Sequence, residues 1–379
     1  TGWEQTDESG DPYESIRGER LVKIFGQTPR DVGQLRDEFD HFEADILFPN
    51  RLLIDKDITS GVRLPVRTVD TDTDRQTLRV HHEELGPVAV DATPRVNTFD
   101  IEVDDRSGFP ENGEEPIICL ASHDSVRDEY VLWLYDPPEG VDPPRELTDY
   151  TPIQAREDTE QNTDRGDIDL DTDIRVFDTE AAMLDAFIGY IERTDPDVAT
   201  GWNFTDFDAP YLLDRLEELN PDTGHSLGID RLSRVDEVWR SDWQGPNVKG
   251  RVMFDLLYAY KRTQFTELDS YRLDAVGETE LDVGKERYPG DIGDIWEDDP
   301  ERLLEYNLRD VELCVELDRK QEIVPFWQEV ASFVGCKLED ATTRGDAVDM
   351  YILQEVHGDL VLPSTGTVHA GDLGGGRVF

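Results

Sequence analysis

One stretch of alternating residues, 95–104, limits the folds open to this chain more than any other. Within it Asp100 and Glu102 lie two residues apart, and Phe99 and Val103 belong to the apolar half of the alternation. Successive side chains of a β-strand point to opposite faces, so both carboxylates leave one face while the apolar side chains pack on the other. Two carboxylates on one face of a core strand repel each other unless a cation lies between them. A solvent-facing acidic edge explains the pattern equally well if it is taken alone.

A second acidic motif lies between a buried strand and a helix. Asn203, Phe207 and Asp208 follow the apolar run 198–202, and Ala209-Pro210 comes next. Proline is favoured in a first helical turn, which makes Asp208 a candidate N-cap. A functional interpretation is compatible with that role. It places Asn203 at the end of the strand and Asp208 at the mouth of the helix, where both face the crevice beyond the strand ends.

A third motif is predicted on a helix. Tyr306 and Asp310 are four residues apart and therefore share one helical face. A phenol one turn from a carboxylate can orient a water molecule, although an ordinary surface pair has the same spacing. Asp255, which follows Phe254 at the end of a strand-like run, adds another carboxylate. Even without Asp255, the motifs supply four carboxylates from separated segments, which are what a site needs to hold two divalent metals and cleave a phosphodiester.

The remaining pattern predicts an α/β fold with a mixed sheet and flanking helices. The helix of 179–191 has apolar residues at helical spacing, and the buried strand at 198–202 follows it, as in a crossover unit. Three strand-like runs that resemble an antiparallel meander come before that helix, at 95–104, 115–122 and 129–135. Further helices are predicted over 209–219, 300–334 and 343–356.

Two other regions differ from this core in composition. Residues 18–93 alternate short apolar stretches with turn-rich polar ones, which predicts a small β-rich domain. Residues 137–174 are rich in proline and aspartate and predict a long acidic loop. A chain of 379 residues is long enough for two or three domains, each with its own core.

The charge of the chain is extreme. Asp and Glu number 87 against 37 Lys and Arg, and only 7 of these are Lys, for a formal net charge of -50. At molar salt the Debye length falls to ~3 Å, so such a chain can fold without strong self-repulsion. We therefore expect an intracellular protein of a halophile. An acidic disordered chain is the alternative, but 37% hydrophobic residues and 7 Trp argue against it.

The cysteines and the hydropathy pattern bear on the compartment. Cys119, Cys314 and Cys336 are far apart and form no C-x-x-C pair, so neither a disulfide framework nor a structural zinc site is indicated. No apolar run approaches the ~20 residues of a membrane span, and the first thirty residues lack the order of a signal peptide. We expect a soluble cytoplasmic protein.

The three motifs together resemble a known family. Phe-Asp-Ile-Glu at 99–102, Asn-x-x-x-Phe-Asp-x-Pro-Tyr at 203–211 and Tyr-x-x-x-Asp at 306–310 are similar, in order and spacing, to the exonuclease motifs of family B DNA polymerases. The resemblance covers roughly residues 20–379. Further stretches resemble archaeal members, and the acidic composition suggests the haloarchaeal type. These stretches are 43–48, 51–55, 250–255 and 270–276.

The resemblance implies a domain arrangement. Residues 94–335 would form a ribonuclease-H-like 3′-5′ exonuclease domain and 1–93 the β-rich N-terminal domain, to which 336–379 would return on the way to a polymerase palm absent from this chain. Residues 373–379 resemble the Tyr-x-Gly-Gly element that joins the two regions, with Leu373 in the place of Tyr. The Asp-Thr-Asp triplet at 72–74 imitates a polymerase motif, but it lies in a polar loop and is not expected to be catalytic.

The resemblance also implies a mechanism, which is hydrolysis of the 3′-terminal nucleotide of a DNA primer by two Mg²⁺ or Mn²⁺ ions. Asp100 would bridge the ions, Glu102 and Asp310 would complete one site, and Asp208 would support the other. Tyr306 would orient the attacking water. The single-stranded end would bind at Asn203 and Phe207. Asp255 would be either a further site residue or a structural one.

The resemblance also implies binding partners, and it leaves alternative functions open. The substrate would be DNA, and a sliding clamp would bind through regions outside this chain. A group of cations and two tryptophans in 231–262 is a candidate DNA-facing surface, with solvated cations that balance the acidic excess as the alternative: Arg231, Arg234, Trp239, Arg240, Trp243, Lys249, Arg251, Lys261 and Arg262. Two other functions remain open, a free-standing exonuclease and a noncatalytic DNA-binding module of the same fold.

Overall fold

The fold was obtained as a computed structural model, and its residues group into two compact units. The structure describes residues 2–7, 9–36, 38–65, 69–70, 77–78, 80–137, 140–148, 150–153, 170–220, 224, 226–240, 245–264, 266–284 and 290–364. One unit comprises Thr1–Asp91 with Gln328–Phe379, and the other comprises Ala92–Trp327. The predicted domain boundaries at 93 and 335 stay predictions.

The first unit contains short strands and helices. Its strands pair only in antiparallel twos, β1 with β2, β3 with β6 and β4 with β5, within the part of the chain that the structure describes. The strands are β1 (Gly2–Glu4), β2 (Lys23–Phe25), β3 (Gly61–Arg63), β4 (Val69–Asp70), β5 (Thr77–Leu78) and β6 (Gly86–Val88). The helices of its N-terminal part are α1 (Pro29–Arg36) and α2 (Phe48–Asp55), with a 3-10 turn at His82–Glu84. A β-rich domain over 1–93 stays a prediction.

The second unit is built on a six-stranded mixed sheet with the strand order β10-β9-β8-β7-β11-β14. β7, β8 and β9 are antiparallel neighbours, whereas β10, β11 and β14 each run parallel to the strand beside them. These strands are β7 (Val96–Val103), β8 (Ile117–Asp124), β9 (Glu129–Tyr135), β10 (Thr172–Phe177), β11 (Val198–Gly201) and β14 (Val252–Asp255); β12 (Val238–Trp239) and β13 (Asn247–Val248) form a separate hairpin. The predicted α/β fold with a mixed sheet is confirmed.

The helices of the second unit are α3 (Glu180–Thr194), α4 (Asp208–Leu219), α5 (Leu256–Thr263), α6 (Leu273–Leu281), α7 (Ile292–Asp298) and α8 (Pro300–Gln321), with a 3-10 turn at Ile229–Leu232. Helix α9 (Ile323–Val334) begins in this unit and ends in the first one, which also holds α10 (Leu338–Ala341) and α11 (Arg344–Val356). Helix α3 begins after Thr179, whose side chain accepts a hydrogen bond from the Ala182 amide at 3.2 Å.

Two layers of side chains cover the two faces of the sheet. On one face Phe99 and Trp133 pack with residues of α3 and α4, such as Phe187 and Leu212. On the other face residues of β8 and β9 pack with α7 and α8, for example Leu132. The alternation of β7 therefore works as predicted, because its apolar side chains enter the first layer and its carboxylates face the side of α8.

The helix predicted over 300–334 is wrong in one respect, because the structure breaks it in two. Glu322 adopts a left-handed conformation with φ 50°, which ends α8 before α9 begins. The Asp318 carboxylate accepts a hydrogen bond from the Val324 amide at 2.7 Å and so caps the second helix. Glu322, at the break, is neither glycine nor proline, and the apolar periodicity continues through it, so the sequence pattern predicts one helix. Half of the predicted acidic loop of 137–174 lies outside the described residues, and its last three residues belong to strand β10 (Thr172–Phe177) instead.

Parallel pairing brings three strand ends to one edge of the sheet. Val198–Thr200 pair with Val96–Thr98 of β7, and Gly201 pairs with Asp255 of β14. A Cβ atom on Gly201 would lie 2.7 Å from the Phe99 carbonyl oxygen, so only glycine permits this approach. The motifs that follow β11 and β14 therefore begin beside the middle of β7. Among the described residues, no helix combines the length and apolar character needed to cross a membrane.

Candidate active site

Three carboxylates converge where β7 passes α8. The side chains of Asp100 and Glu102 leave β7 on the face opposite Phe99. One carboxylate oxygen from each of these residues and one from Asp310 lie within 4.8 Å of one another. Asp310 is only 2% exposed, whereas the other two are half-buried. This burial rules out the ordinary surface pair considered for Tyr306 and Asp310. We refer to Asp100, Glu102 and Asp310 as the carboxylate cluster.

Asp208 joins the cluster through the backbone of β7. It is the first residue of α4, is 3% exposed, and its Oδ1 accepts a hydrogen bond from the Ile101 amide at 3.2 Å. The N-cap of α4 is Phe207, so the prediction of Asp208 as the N-cap is wrong by one residue. Burial, and then repulsion from Asp100, raise the pKa of Asp208 well above its ordinary value. The carboxylate therefore ionises at a cost that a bound cation would offset.

The negative charge of the carboxylates also affects two buried thiols beside them, Cys119 and Cys314. Burial raises the pKa of Cys119, and the charges of Glu102 and Asp100 raise it further. Burial likewise raises the pKa of Cys314, with the charge of Asp100 as the next cause. Both cysteines stay neutral thiols and are poor ligands in that state. The donors of the site are carboxylate oxygens, a set that fits Mg²⁺ or Mn²⁺ better than zinc.

Asn307 is a site residue that the sequence reasoning missed. Its side chain is fully buried, and its Nδ2 donates to Asp100 Oδ2 at 2.7 Å while its Oδ1 accepts from the Cys119 thiol at 3.4 Å. The amide thereby fixes one oxygen of Asp100 from within the core. A signal for it did exist, because Asn307 precedes Asp310 by three residues and residues at that spacing share a helical face.

The loop between β11 and α4 carries the second motif. Asn203 has a left-handed backbone, with φ 63°, and its carbonyl accepts hydrogen bonds from the amides of Asp206 and Phe207 at 3.2 and 3.1 Å. Asparagine tolerates this conformation better than most residues. The turn reverses the chain at the end of β11 and sends Phe207 and Asp208 toward β7.

A cavity of about 440 Å³ opens beside the carboxylate cluster. Its wall includes Glu102, Phe207 and Phe109, and the two phenylalanine rings lie 6.0 Å apart between centroids. Phe109 is 79% exposed, although it is a large apolar residue. Its place in the cavity wall could not be predicted from sequence, because a single Phe in a Gly-Phe-Pro turn has no periodic pattern. Two aromatic rings beside a carboxylate site can stack on flat apolar groups.

The other two predicted residues lie in different settings. Tyr306 lies half-buried on α8, one turn before Asp310. Asp255 ends β14 and is bound by protein groups on both oxygens. Its Oδ1 accepts from the amides of Leu257 and Tyr258 at 3.0 and 3.3 Å, and its Oδ2 accepts from the amide and hydroxyl of Thr205 at 2.9 and 3.1 Å. Burial raises its pKa. Asp255 therefore holds the loop and α5, outside the carboxylate cluster.

Comparison with known proteins agrees with this geometry. A family model described as DNA polymerase family B, exonuclease domain, matches residues 39–276, which is more than half of the chain. The chain belongs to the family B DNA polymerases.

Its relatives within family B are much longer. A DNA-directed DNA polymerase of Escherichia phage RB69 is 31% identical over 238 residues, which is 61% of this chain and 26% of the relative. A DNA polymerase of Pyrococcus glycovorans is 27% identical over 348 residues, or 88% of this chain and 36% of the relative. The DNA polymerase delta catalytic subunit of Drosophila melanogaster is 26% identical, over 89% of this chain and 33% of its own length. The chain thus spans about a quarter to a third of these family B relatives.

The candidate DNA-facing cations of this family B chain are mostly bound to carboxylates. Arg231 pairs with Asp185 and Glu192, Arg234 with Asp195 and Asp197, and Arg240 with Asp214 and Glu217. Arg251 is 8% exposed and donates to the carbonyls of Leu232 and Pro196. These arginines join segments of the fold, and Arg251 is buried rather than solvated as the alternative interpretation expects.

A smaller set of cations in the same region lies on aromatic rings. Lys249 lies 4.2 Å from the ring centroid of Trp239, which is 58% exposed, and Lys261 lies 4.8 Å from that of Tyr271. Trp243, the triplet at 72–74 and the element at 373–379 lie outside the described residues.

Proposed function

We propose that this chain is the N-terminal and proofreading part of a family B DNA polymerase, and that it removes 3′-terminal nucleotides from DNA by metal-dependent hydrolysis. The observation that carries the proposal is the carboxylate cluster, in which oxygens of Asp100, Glu102 and Asp310 lie within 4.8 Å of one another. Asp208, fixed to the Ile101 amide, adds a fourth carboxylate. Four carboxylates at one place are stable in their ionised form only with cations among them.

The residues of the site would divide the work. Asp100 would hold both Mg²⁺ or Mn²⁺ ions, Glu102 and Asp310 would complete one ion site, and Asp208 would support the other. Two cations bound there would supply Lewis acidity for the attack of water on the phosphodiester and for the departure of the 3′ oxygen. Tyr306 would orient the attacking water through its hydroxyl. Asn307 keeps Asp100 in place by its 2.7 Å hydrogen bond.

The cavity beside the cluster would bind the single-stranded DNA end. Phe207 and Phe109 form two aromatic surfaces in its wall, and Asn203 lies at the start of the same loop as Phe207. Stacking of a base on an aromatic ring contributes ~1–3 kcal/mol and tolerates any sequence. Such a site suits an enzyme that removes whichever nucleotide occupies the 3′ end. Most arginines of the 231–262 region are paired, so the binding free energy would come chiefly from stacking and the metals.

The test is a double variant, Asp100→Ala with Glu102→Ala. We expect it to abolish metal-dependent 3′-5′ degradation of single-stranded DNA while the fold persists, because the removal of two like charges relieves repulsion in the metal-free protein. The matched control, Glu111→Ala with Glu114→Ala, removes two exposed carboxylates from a nearby turn. Full activity of the double variant would refute the assignment of the site. Binding of DNA without cleavage by the wild-type chain would favour the noncatalytic module.

The wider arrangement is part of the proposal. Residues 1–93 would form a β-rich N-terminal domain, 94–335 the ribonuclease-H-like exonuclease domain, and 336–379 the return to the N-terminal domain and the link toward a palm. A sliding clamp would bind a polymerase region that lies outside this chain. The relatives support this arrangement because they are more than twice as long as this chain, whose aligned residues cover 26% to 36% of them.

The haloarchaeal origin and the cytoplasmic location are proposed from the net charge of -50. At ~0.1 M salt the Debye length is ~10 Å and self-repulsion is strong, whereas at 1 M it is ~3 Å. We expect the melting temperature to rise steeply with KCl over this range, and further with Mn²⁺ because ligand binding stabilises the native state. The second rise should be smaller in Asp100→Ala. A melting temperature independent of KCl would reject the halophilic origin.

A further inference from the structure

The loop of residues 202–207 is held by groups that lie outside the carboxylate cluster. On one side the Thr205 amide and hydroxyl donate to Asp255 Oδ2 at 2.9 and 3.1 Å, and the Tyr258 hydroxyl donates to Asp206 Oδ2 at 2.5 Å. Elsewhere the backbone of Gly245 lies so close that a Cβ there would be 2.7 Å from the Thr205 carbonyl oxygen. The loop therefore has little freedom to move at Thr205.

Asp255 is placed to do two tasks with two oxygens. It is 7% exposed and pairs in register with Gly201, the last residue of the strand from which the loop departs. Oδ1 caps α5 through two amides, and Oδ2 receives both donors of Thr205. Because the tasks belong to different oxygens, one of them can be removed while the other is kept.

The rest of the loop depends on this anchor. Asn203 has a left-handed backbone with φ 63°, and the turn it makes is closed by its carbonyl, which accepts from the amides of Asp206 and Phe207. Two residues beyond Thr205, Phe207 turns toward the cavity, and Asp208 reaches the Ile101 amide. A change at Thr205 would shift Asn203 and Phe207, which lie in the same loop, whereas Asp208 is held separately as the first residue of α4 by the Ile101 amide.

We propose that Asp255 is a positioning residue, which fixes the loop of residues 202–207 through Thr205 so that Phe207 and Asn203 face the single-stranded DNA end. The inference rests on the proposed exonuclease function. Asp255 contributes no ligand of its own, because both of its oxygens already accept hydrogen bonds from the protein. Loss of the anchor should therefore raise the KM for DNA more than it weakens metal binding.

The test compares variants that keep the helix cap. Asp255→Asn retains an oxygen for α5 but sets an NH₂ group against the two donors of Thr205. Thr205→Val removes only the hydroxyl, and Thr205→Ser restores it in nearly the same shape. The matched control is Asp299→Asn, at an N-cap that accepts from the Arg302 amide at 3.2 Å and has no link to the loop.

We expect Asp255→Asn to raise the KM for single-stranded DNA by about 10–100-fold, the range typical of residues that orient a site's direct ligands. Mn²⁺ affinity, measured by calorimetry, should change far less. Hydrogen exchange of the 203–207 amides should quicken in Asp255→Asn and, to a smaller extent, in Thr205→Val. Thr205→Ser and Asp299→Asn should resemble the wild type. Adding Thr205→Val to Asp255→Asn should raise KM no further, because the two groups form one contact.

Three results would overturn the proposal. The first is an unchanged KM for DNA in Asp255→Asn. The second is a loss of Mn²⁺ affinity in Asp255→Asn as large as the loss in Asp100→Ala, since that result would make Asp255 a metal ligand. If Asp255→Asn does not fold, Thr205→Val and Thr205→Ser decide alone, and equal KM values for these two would be the third. If the wild-type chain has no nuclease activity, the proposed function fails. The anchor can still be tested in that case, by measuring the dissociation constant for single-stranded DNA in place of KM.

Discussion

The carboxylate cluster and the ion pairs around Arg234 and Arg251 hold acidic side chains in opposite ways. In the first region burial and the charge of Asp100 raise the pKa of Asp208. In the second, burial acts to raise the pKa of Asp195, but hydrogen bonds and charges from Arg234 and Arg251 outweigh it, and the pKa falls. The same residue type is thus held under repulsion in one place and stabilised by cations in the other.

The two regions differ in the kind of donor that holds a carboxylate. Arginines are bound to the carboxylates of α3, α4 and the turn after α3, and they join these segments to the 231–251 region. Within the carboxylate cluster, Asp100 instead accepts a hydrogen bond from a neutral amide, that of Asn307. A neutral donor orients a carboxylate without neutralising it, so the negative charge of Asp100 stays available to the metal ion of the proposed function.

The largest effect is expected at that amide. Asn307→Ala removes the donor to Asp100 Oδ2 and leaves a cavity beside Cys119. We expect Mn²⁺ affinity to fall by about 10–100-fold, as for other groups that orient a metal ligand. Isothermal calorimetry with Mn²⁺ measures this change directly. Asn307→Ser keeps a smaller polar group and should lose less Mn²⁺ affinity. An unchanged affinity in Asn307→Ala would show that the Asn307 amide is not needed to position Asp100.

Much of this site could be predicted from sequence because it depends on periodicity. The alternation at β7 placed Asp100 and Glu102 on one face, and four-residue spacing placed Tyr306 and Asp310 on one helical face. Both rules are local, so one sequence suffices to apply them. The convergence of β7 with α8 is not local, and it was expected from the family resemblance rather than from any spacing.

Other features have no local signal. Asp255 ends a strand whether it binds metal or anchors a loop, and only its contacts with Thr205 separate the two roles. The left-handed Glu322 that divides α8 from α9 is neither glycine nor proline, so the helical pattern ran through it. Phe109 lies in the cavity wall because of the course of its turn. Such features depend on tertiary contacts that a single sequence does not encode in its periodicity.

A smaller effect, on stability alone, is expected in the arginine region. Arg251→Met removes the arginine donor of the buried Leu232 carbonyl and one of the two arginine donors of the Pro196 carbonyl, and leaving a buried acceptor unsatisfied costs about 1–3 kcal/mol. We expect the free energy of unfolding to fall by about 3 kcal/mol, measured by denaturant titration at molar KCl. Nuclease activity per folded molecule should be unchanged. Arg234→Met is the comparison variant at a half-exposed position, and it should cost less because water can replace much of its bonding to the Asp195 and Gly250 carbonyls and exposed ion pairs contribute ~0–1 kcal/mol.

The smallest effects should have opposite signs in the two regions. Asp208 has a raised pKa in the folded state, so its stabilising contribution is complete below the ordinary value of 3.8 and is lost as pH rises through the folded pKa. At about pH 8 in EDTA, Asp208→Asn should therefore raise the melting temperature by a few degrees. The variant keeps an oxygen for the Ile101 amide. Added Mn²⁺ should remove or reverse the gain, because only the wild type binds it fully.

Asp195 is the opposite case. Its folded pKa is lowered, so its contribution is present above 3.8 and is lost as pH falls through the folded pKa. Asp195→Asn should lower the melting temperature at about pH 8, with or without Mn²⁺, and the difference from wild type should vanish in acid. Differential scanning fluorimetry of both variants across pH measures the two signs together. Equal signs would mean that arginine pairing and carboxylate repulsion do not separate the two regions, and that the cluster needs no cation to be stable.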